Sequence, residues 1–202
     1  VSPQLNNCTV RHCQYYGIYA ANASPVISGC TVTDTGYNRI YFTNCSGSIT
    51  GCTLSDAAPG QAAIYLHGTG STAVSGNQIE NSATYGIYCH SAGTAPQITG
   101  NTFTGNSVYP IYIYGRNVEN IGAPLNQYQY DSFNQIYVVG DTLAEDTTWL
   151  NQHTPYYISG EIYVQGTDGD DSITTLTVQA GSELRFASAR GLWIGTTSST
   201  SP

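Results

Sequence analysis

Apolar positions recur along this chain in two locked columns. Leu5, Ile27, Ile49, Val74 and Ile98 follow one another at intervals of 22, 22, 25 and 24, and Val10, Val32, Leu54, Ile79 and Phe103 repeat those intervals at a constant offset of five. A third column runs through the phrases GIY, RIY, AIY, GIY, PIY and QIY, whose tyrosines (Tyr19, Tyr41, Tyr65, Tyr88, Tyr112 and Tyr137) recur at 22, 24, 23, 24 and 25. A nearly fixed period of this size marks stacked repeats, each one circuit of the chain. Around each column apolar and polar residues alternate, as in Thr102-Phe103-Thr104, and Gly, Asn and Ser separate the alternating stretches. That is the pattern of short half-buried strands joined by turns, and helical spacing is absent.

A circuit of this length holds three short strands and their bends. Stacking circuits in parallel places equivalent residues about 4.8 Å apart. The segment Ser24-Pro25-Val26-Ile27-Ser28-Gly29-Cys30-Thr31-Val32, followed by its Ile-Tyr phrase, resembles the repeats of right-handed parallel β-helix proteins of the pectate-lyase-like superfamily. The resemblance covers roughly residues 2–139 and implies an all-β, right-handed parallel β-helix, a solenoid. It is nearly silent on activity, since that fold carries lyases, glycosidases, epimerases, tailspikes, adhesins and proteins without catalysis.

The expected organisation is β-helix repeats over 1–139, then an acidic connection and the opening strands of a further module over 140–202. In that second part Leu176/Val178, Leu184/Phe186 and Leu192/Ile194 alternate as three short strands. The chain opens inside a repeat and is read as a module of a larger bacterial surface or secreted protein, located outside the cell or on its surface. No apolar run approaches a membrane span, so no membrane insertion is expected. The net charge is −8, with five Arg and no Lys, which argues against nucleic acid as a partner.

Cys8, Cys30 and Cys52 recur at one constant interval, in the position that Asn77 and Asn101 take in later circuits. They are expected to form an internal column of unpaired thiols, because in-register side chains on parallel strands meet disulfide geometry badly. Cys13, Cys45 and Cys89 fall in other columns, and no close ligand spacing suggests a metal.

Three constellations carry candidate chemistry. The tyrosine column, with His67, His90 and Tyr114 two residues on, points outward if its isoleucines point inward, and offers Tyr65, Tyr88, Tyr112, His67, His90 and Tyr114 as ligand-binding residues for glycans. Against this, Tyr has high strand propensity and neighbouring aromatics support one another without any ligand. His12, Asp34 and Asp56 occupy equivalent positions, and paired carboxylates a rung apart suit glycoside hydrolysis, although Asp is also a common turn residue. The loop Gly166-Thr167-Asp168-Gly169-Asp170-Asp171 offers Asp168, Asp170 and Asp171 to calcium, the one cofactor candidate, or is simply a solvated turn. The Asn-x-Ser/Thr triplets at Asn7, Asn22 and Asn44 are the glycosylation candidates.

The expected function is a non-enzymatic structural or adhesive module, with itself or neighbouring modules as end-to-end partners in a fibre. The rival is a carbohydrate-binding or polysaccharide-active protein, a neutral-glycan glycosidase rather than a uronate lyase. A lyase needs cations to neutralise the substrate carboxylate, and only Arg116 lies near the aromatic face.

Overall fold

In the computed structural model, which describes residues 2–129, 131–166 and 173–195, the chain is a parallel β-solenoid of about seven turns, with about 24 residues per turn. Three long parallel sheets run along it, beside two short ones, Asp141–Leu143 with Ile162–Val164 and Leu192–Ile194, and Thr147–Trp149 with Leu176–Val178. Sheet A stacks Gln4–Asn6, Val26–Ser28, Ser48–Thr50, Ala73–Ser75 and Gln97–Thr99. Sheet B begins with Thr9–Val10, Thr31–Thr35 and Thr53–Ala57 and ends at Gln127–Gln129. Sheet C has eight strands, from Ile18–Ala21 through the Ile-Tyr phrases to Ile136–Val139, Tyr156–Ile158 and Leu184–Phe186. It therefore crosses residue 139 unbroken.

The apolar columns are the core. Ile49, Val74 and Ile98 from sheet A, Leu54, Ile79 and Phe103 from sheet B, and Ile40, Ile64, Ile87, Ile111 and Ile136 from sheet C are all fully buried. Pairing is in register, Leu5 on Ile27, Val32 on Leu54, Tyr41 on Tyr65, so each side chain meets its own kind one rung away. The strands Leu176–Val178, Leu184–Phe186 and Leu192–Ile194 stand where their alternation places them.

The corners explain the polar residues. The chain turns between sheets A and B at Asn7, Gly29, Gly51, Gly76 and Gly100, between B and C at His12, Asp34, Asp56, Asn81 and Gly105, and after C at Asn22, Asn44 and Gly68, and every one of these has positive φ. Gly, Asn and Asp enter the left-handed region most easily and His more readily than most residues, so the corner columns are filled by them, with His12 the histidine. At Gly68, with φ +79, a Cβ would also run into Oδ1 of Asn44 from the previous rung.

Inside the A–B corner the thiols and asparagines form one ladder. Oδ1 of Asn77 accepts from the Cys52 amide (2.9 Å), Oδ1 of Asn101 from the Asn77 amide (3.0 Å) and Oδ1 of Asn126 from the Asn101 amide (2.9 Å). The Asn77 amide group donates back to the Ile49 carbonyl at 2.9 Å, and the thiols of Cys52 and Cys30 make the same backward reach, more weakly, to Ile27 and Leu5. All six cysteines are free. At the B–C corner a second ladder joins the Ser82 amide to Asn106 and Asn106 to Asp131, whose carboxyl is pushed up by burial against the lowering effect of those bonds.

A guanidinium also lies inside the solenoid. Arg39 is fully buried and spans rungs, donating to the Ser55 carbonyl (2.8 Å), Ser82 Oγ (3.1 Å) and the carbonyls of Glu80 and Asn81 (both 3.3 Å). Gly17 and Ala63 hold the equivalent positions on either side and leave it room. Burial lowers its pKa to about 10, with Asp56 partly offsetting the loss of hydration, so it stays a cation at neutral pH.

Asn101 sits mid-ladder, accepting from Asn77 and donating to Val74 and Asn126. Asn101→Ala leaves several buried groups without partners and is expected to cost about 3 kcal/mol, whereas Cys30→Ala costs well under half as much because thiol hydrogen bonds are weak. Urea denaturation of the two variants decides; equal losses would mean that the amide ladder is not what holds this corner.

Candidate functional site

The outer face of sheet C presents the tyrosines. In a strand successive side chains face opposite ways, so burying Ile40, Ile64, Ile87 and Ile111 turns Tyr41, Tyr65, Tyr88 and Tyr112 outward. All are half-buried except Tyr19, at the N-terminal end, which is 57% exposed. Their partial cover comes from each other.

Ring geometry divides the column. Tyr41 and Tyr65 are 4.9 Å apart at 8°, Tyr112 and Tyr137 4.8 Å apart at 9°. Parallel rings this close overlap in an offset stack, so their faces cover one another and edges and hydroxyls meet the solvent. Tyr88 breaks the order, lying at 87° to Tyr65 and 89° to Tyr112. Its hydroxyl is 3.1 Å from Nδ1 of His90, and His90 stacks on Tyr65 at 5.5 Å and meets His67 edge-on at 5.1 Å. The Tyr114 hydroxyl reaches the His90 carbonyl at 3.4 Å. The six candidate residues Tyr65, His67, Tyr88, His90, Tyr112 and Tyr114 thus form one contiguous patch.

A second aromatic row flanks the first. Tyr85 stacks on Tyr88 at 4.8 Å, Tyr16 contacts Tyr41 at 4.8 Å, and Tyr109 bridges Phe133, Tyr137 and Tyr157. Sequence reasoning passed over this row, although the strings YGIY at 16–19 and 85–88 and YPIY at 109–112 announce it. Mutual burial disfavours the phenolates: the Tyr65 pKa rises to about 12, first by desolvation and then by the field of Tyr41 and Tyr88, and Tyr112 and Tyr88 also rise, for the same leading reason.

His12, Asp34 and Asp56 lie elsewhere, on the exposed corner between sheets B and C. His12 Nδ1 contacts Asp34, and Asp56 accepts from Thr33 Oγ1 at 3.3 Å. All three are in the left-handed conformation shared by Asn81 and Gly105, a turn requirement that accounts for the residue types. Asn7, Asn22 and Asn44 also occupy left-handed corners, and Asn44 is bonded to Asn22 at 3.0 Å and to the Thr69 amide at 3.0 Å. Arg116 is held by Asp141 through two guanidinium hydrogen bonds of 2.8 and 2.5 Å and lines a groove of about 330 Å³ with Glu119, Glu145 and Asp146. Asp168, Asp170 and Asp171 lie outside the described residues. Among those described, no three or more His, Cys, Asp or Glu side chains converge as a metal site, and no helix is long and apolar enough to cross a membrane.

Phenols whose pKa is raised on folding confer stability that is complete below about pH 10 and is lost as pH climbs through about 12. Denaturation midpoints are therefore expected to hold up to pH 10 and then fall steeply, with phenolate absorbance lagging behind that of free tyrosine. Titration of every tyrosine at the free value in the folded protein would contradict the mutual burial.

No curated protein and no solved structure matches the chain. The family model described as right handed beta helix region matches residues 2–145, most of the chain and nearly all of the regular stack. With the parallel in-register sheets and the period of about 24 residues, this shows that the chain belongs to the right-handed β-helix family.

Proposed function

We propose that this chain is a rigid, non-enzymatic adhesive module of an extracellular repeat protein, and that it holds neutral glycan chains on the aromatic face of sheet C. The observation that carries the reading is the unbroken run of ring contacts from Tyr19 to Tyr157 with its patch of hydroxyl and imidazole groups around Tyr88. Along this run the outward positions on the strands hold no Asp, Glu or Arg, and the register brings in Arg185 only after Tyr157. Aromatic edges and faces interleaved with hydrogen-bonding groups suit uncharged sugars. A catalytic reading through Asp34 and Asp56 is the weaker one, because the corner conformation explains them without chemistry.

Tyr88→Ala with Tyr112→Ala is expected to abolish binding on a glycan array; the pair also gives up several ring contacts of about 0.5 to 1.5 kcal/mol each, so the array is read only after circular dichroism shows the variant folded. A native protein that gives no signal with neutral or acidic glycans ends the adhesive reading of this face.

The last described strand supports an end-to-end partner as well. Leu192 and Ile194, which continue the inward register of Ile162 and Val164, are 40% and 80% exposed. A strand edge without a partner among the described residues, over an open slice of core, is a template for a further rung, supplied on this reading by a neighbouring module or a second copy. Sedimentation velocity is expected to show concentration-dependent chains of the protein, suppressed by Ile194→Lys; a monomer at all concentrations speaks against self-stacking.

A further inference from the structure

His67 and His90 are in-register neighbours on parallel strands, since Tyr65 pairs with Tyr88 and Leu66 with Cys89. Their rings are 5.1 Å apart between centroids and nearly perpendicular, at 87°. We propose that this pair is a two-imidazole chelate for a divalent transition ion that favours nitrogen ligands: zinc, copper or nickel. The inference is independent of the glycan reading.

The separation is the first support. With metal–nitrogen bonds of about 2.0 to 2.1 Å, two imidazoles on one ion have centroids about 4.5 to 5.2 Å apart for bond angles between square and tetrahedral. The observed spacing needs no movement of the backbone. Perpendicular rings are compatible, because each ring plane need only contain the ion. The second support is the hydrogen bond that fixes His90. A proton on Nδ1 donated to the Tyr88 hydroxyl, 3.1 Å away, leaves the Nε2 lone pair free, and a ligating histidine is characteristically oriented through its other ring nitrogen in this way. The same bond, together with the Tyr85 ring stacked on Tyr88 at 4.8 Å, accompanies the turn of Tyr88 out of the column. Both imidazoles stand on the outer face, His90 exposed, so the remaining coordination positions face solvent and are open to water or to a polar group of a bound molecule. Cys89, the nearest thiol along the chain, is fully buried on the opposite face of the strand, so it does not compete.

Titration of the full chain with zinc chloride in a calorimeter, and with copper(II) chloride under electron paramagnetic resonance, tests the proposal. One equivalent of metal is expected, with a copper spectrum carrying two nitrogen couplings. His67→Gln/His90→Gln removes that equivalent, and each single variant removes one nitrogen coupling. Tyr88→Phe weakens binding about tenfold while keeping both couplings, as loss of an orienting partner does. Far-UV circular dichroism establishes that the variants keep the fold. Equal metal affinity in the native chain and the double variant, which still has His12 and His153, would overturn the proposal, as would a copper spectrum with a single nitrogen.

Discussion

In-register parallel stacking is the constraint on which the rest of this molecule depends. Every residue of the regular repeats lies about 4.8 Å from its equivalent on the next rung, so a side chain is tolerated only if it tolerates a neighbour of its own kind. Ile, Val and Leu do so by packing, Asn by giving its oxygen to one rung and its amide to another, and Tyr by offset stacking. Like charges do so only at a cost, about 1 kcal/mol of repulsion at this separation in water and more near a protein surface, as at Asp34 and Asp56, which the turn places on adjacent rungs. The constraint accounts for a chain with only 9% charged residues. It also accounts for Arg39, a cation placed where Gly17 and Ala63 are its neighbours and carbonyl oxygens of two further rungs surround the guanidinium.

The same logic separates architecture from chemistry. His12, Asp34 and Asp56 look like a catalytic set when read as charges in a column. Read as backbone, they occupy a corner where φ is positive on five successive rungs, and Asn81 and Gly105 continue the column with the other residues that conformation accepts. The thiol column follows suit. Cys30 and Cys52 reach back to the carbonyls of Leu5 and Ile27 as Asn77 reaches to that of Ile49, so thiol and amide are alternative fillings of one bend.

Much of the fold was legible because periodicity is a property of sequence. The paired columns at 5/10 through 98/103 and the Ile-Tyr phrases gave the strands, their faces and their register, and the six residues of the aromatic patch. Ring orientation was not legible: whether Tyr88 stacks on Tyr65 or turns against it involves its contacts with Tyr85 and His90, which no spacing encodes. Nor was the burial of Arg39, whose phrase RIY reads like its siblings. Beyond Ile136 the register survives while the period fails, because Ile136 pairs with Tyr156 after a shortened circuit and Tyr156 with Leu184 after a lengthened one. Loops of unequal length hide a repeat from any fixed interval although the sheet itself continues.

A solenoid built this way leaves its outer face free of the folding problem. The core columns and corner ladders hold the rungs, so outward residues on sheet C need only be compatible with their neighbours, and tyrosine meets that requirement at low entropic cost. The consequence is a site shaped as a line, with similar groups at each step along the axis. A ligand that touches one step gains little, and a polymer that touches several gains the product of weak contacts. On the proposed adhesive reading, avidity along the axis replaces the enclosed pocket that a small ligand requires. The break at Tyr88 then has a role that the regular stacks lack. Within the ordered ladder ring faces are spent on one another, and at Tyr88 the perpendicular ring and the two imidazoles leave polar atoms unclaimed by the stack. On that reading, affinity along the line and selectivity at the perpendicular step around Tyr88 are separable, because they reside in different geometries of the same residue type.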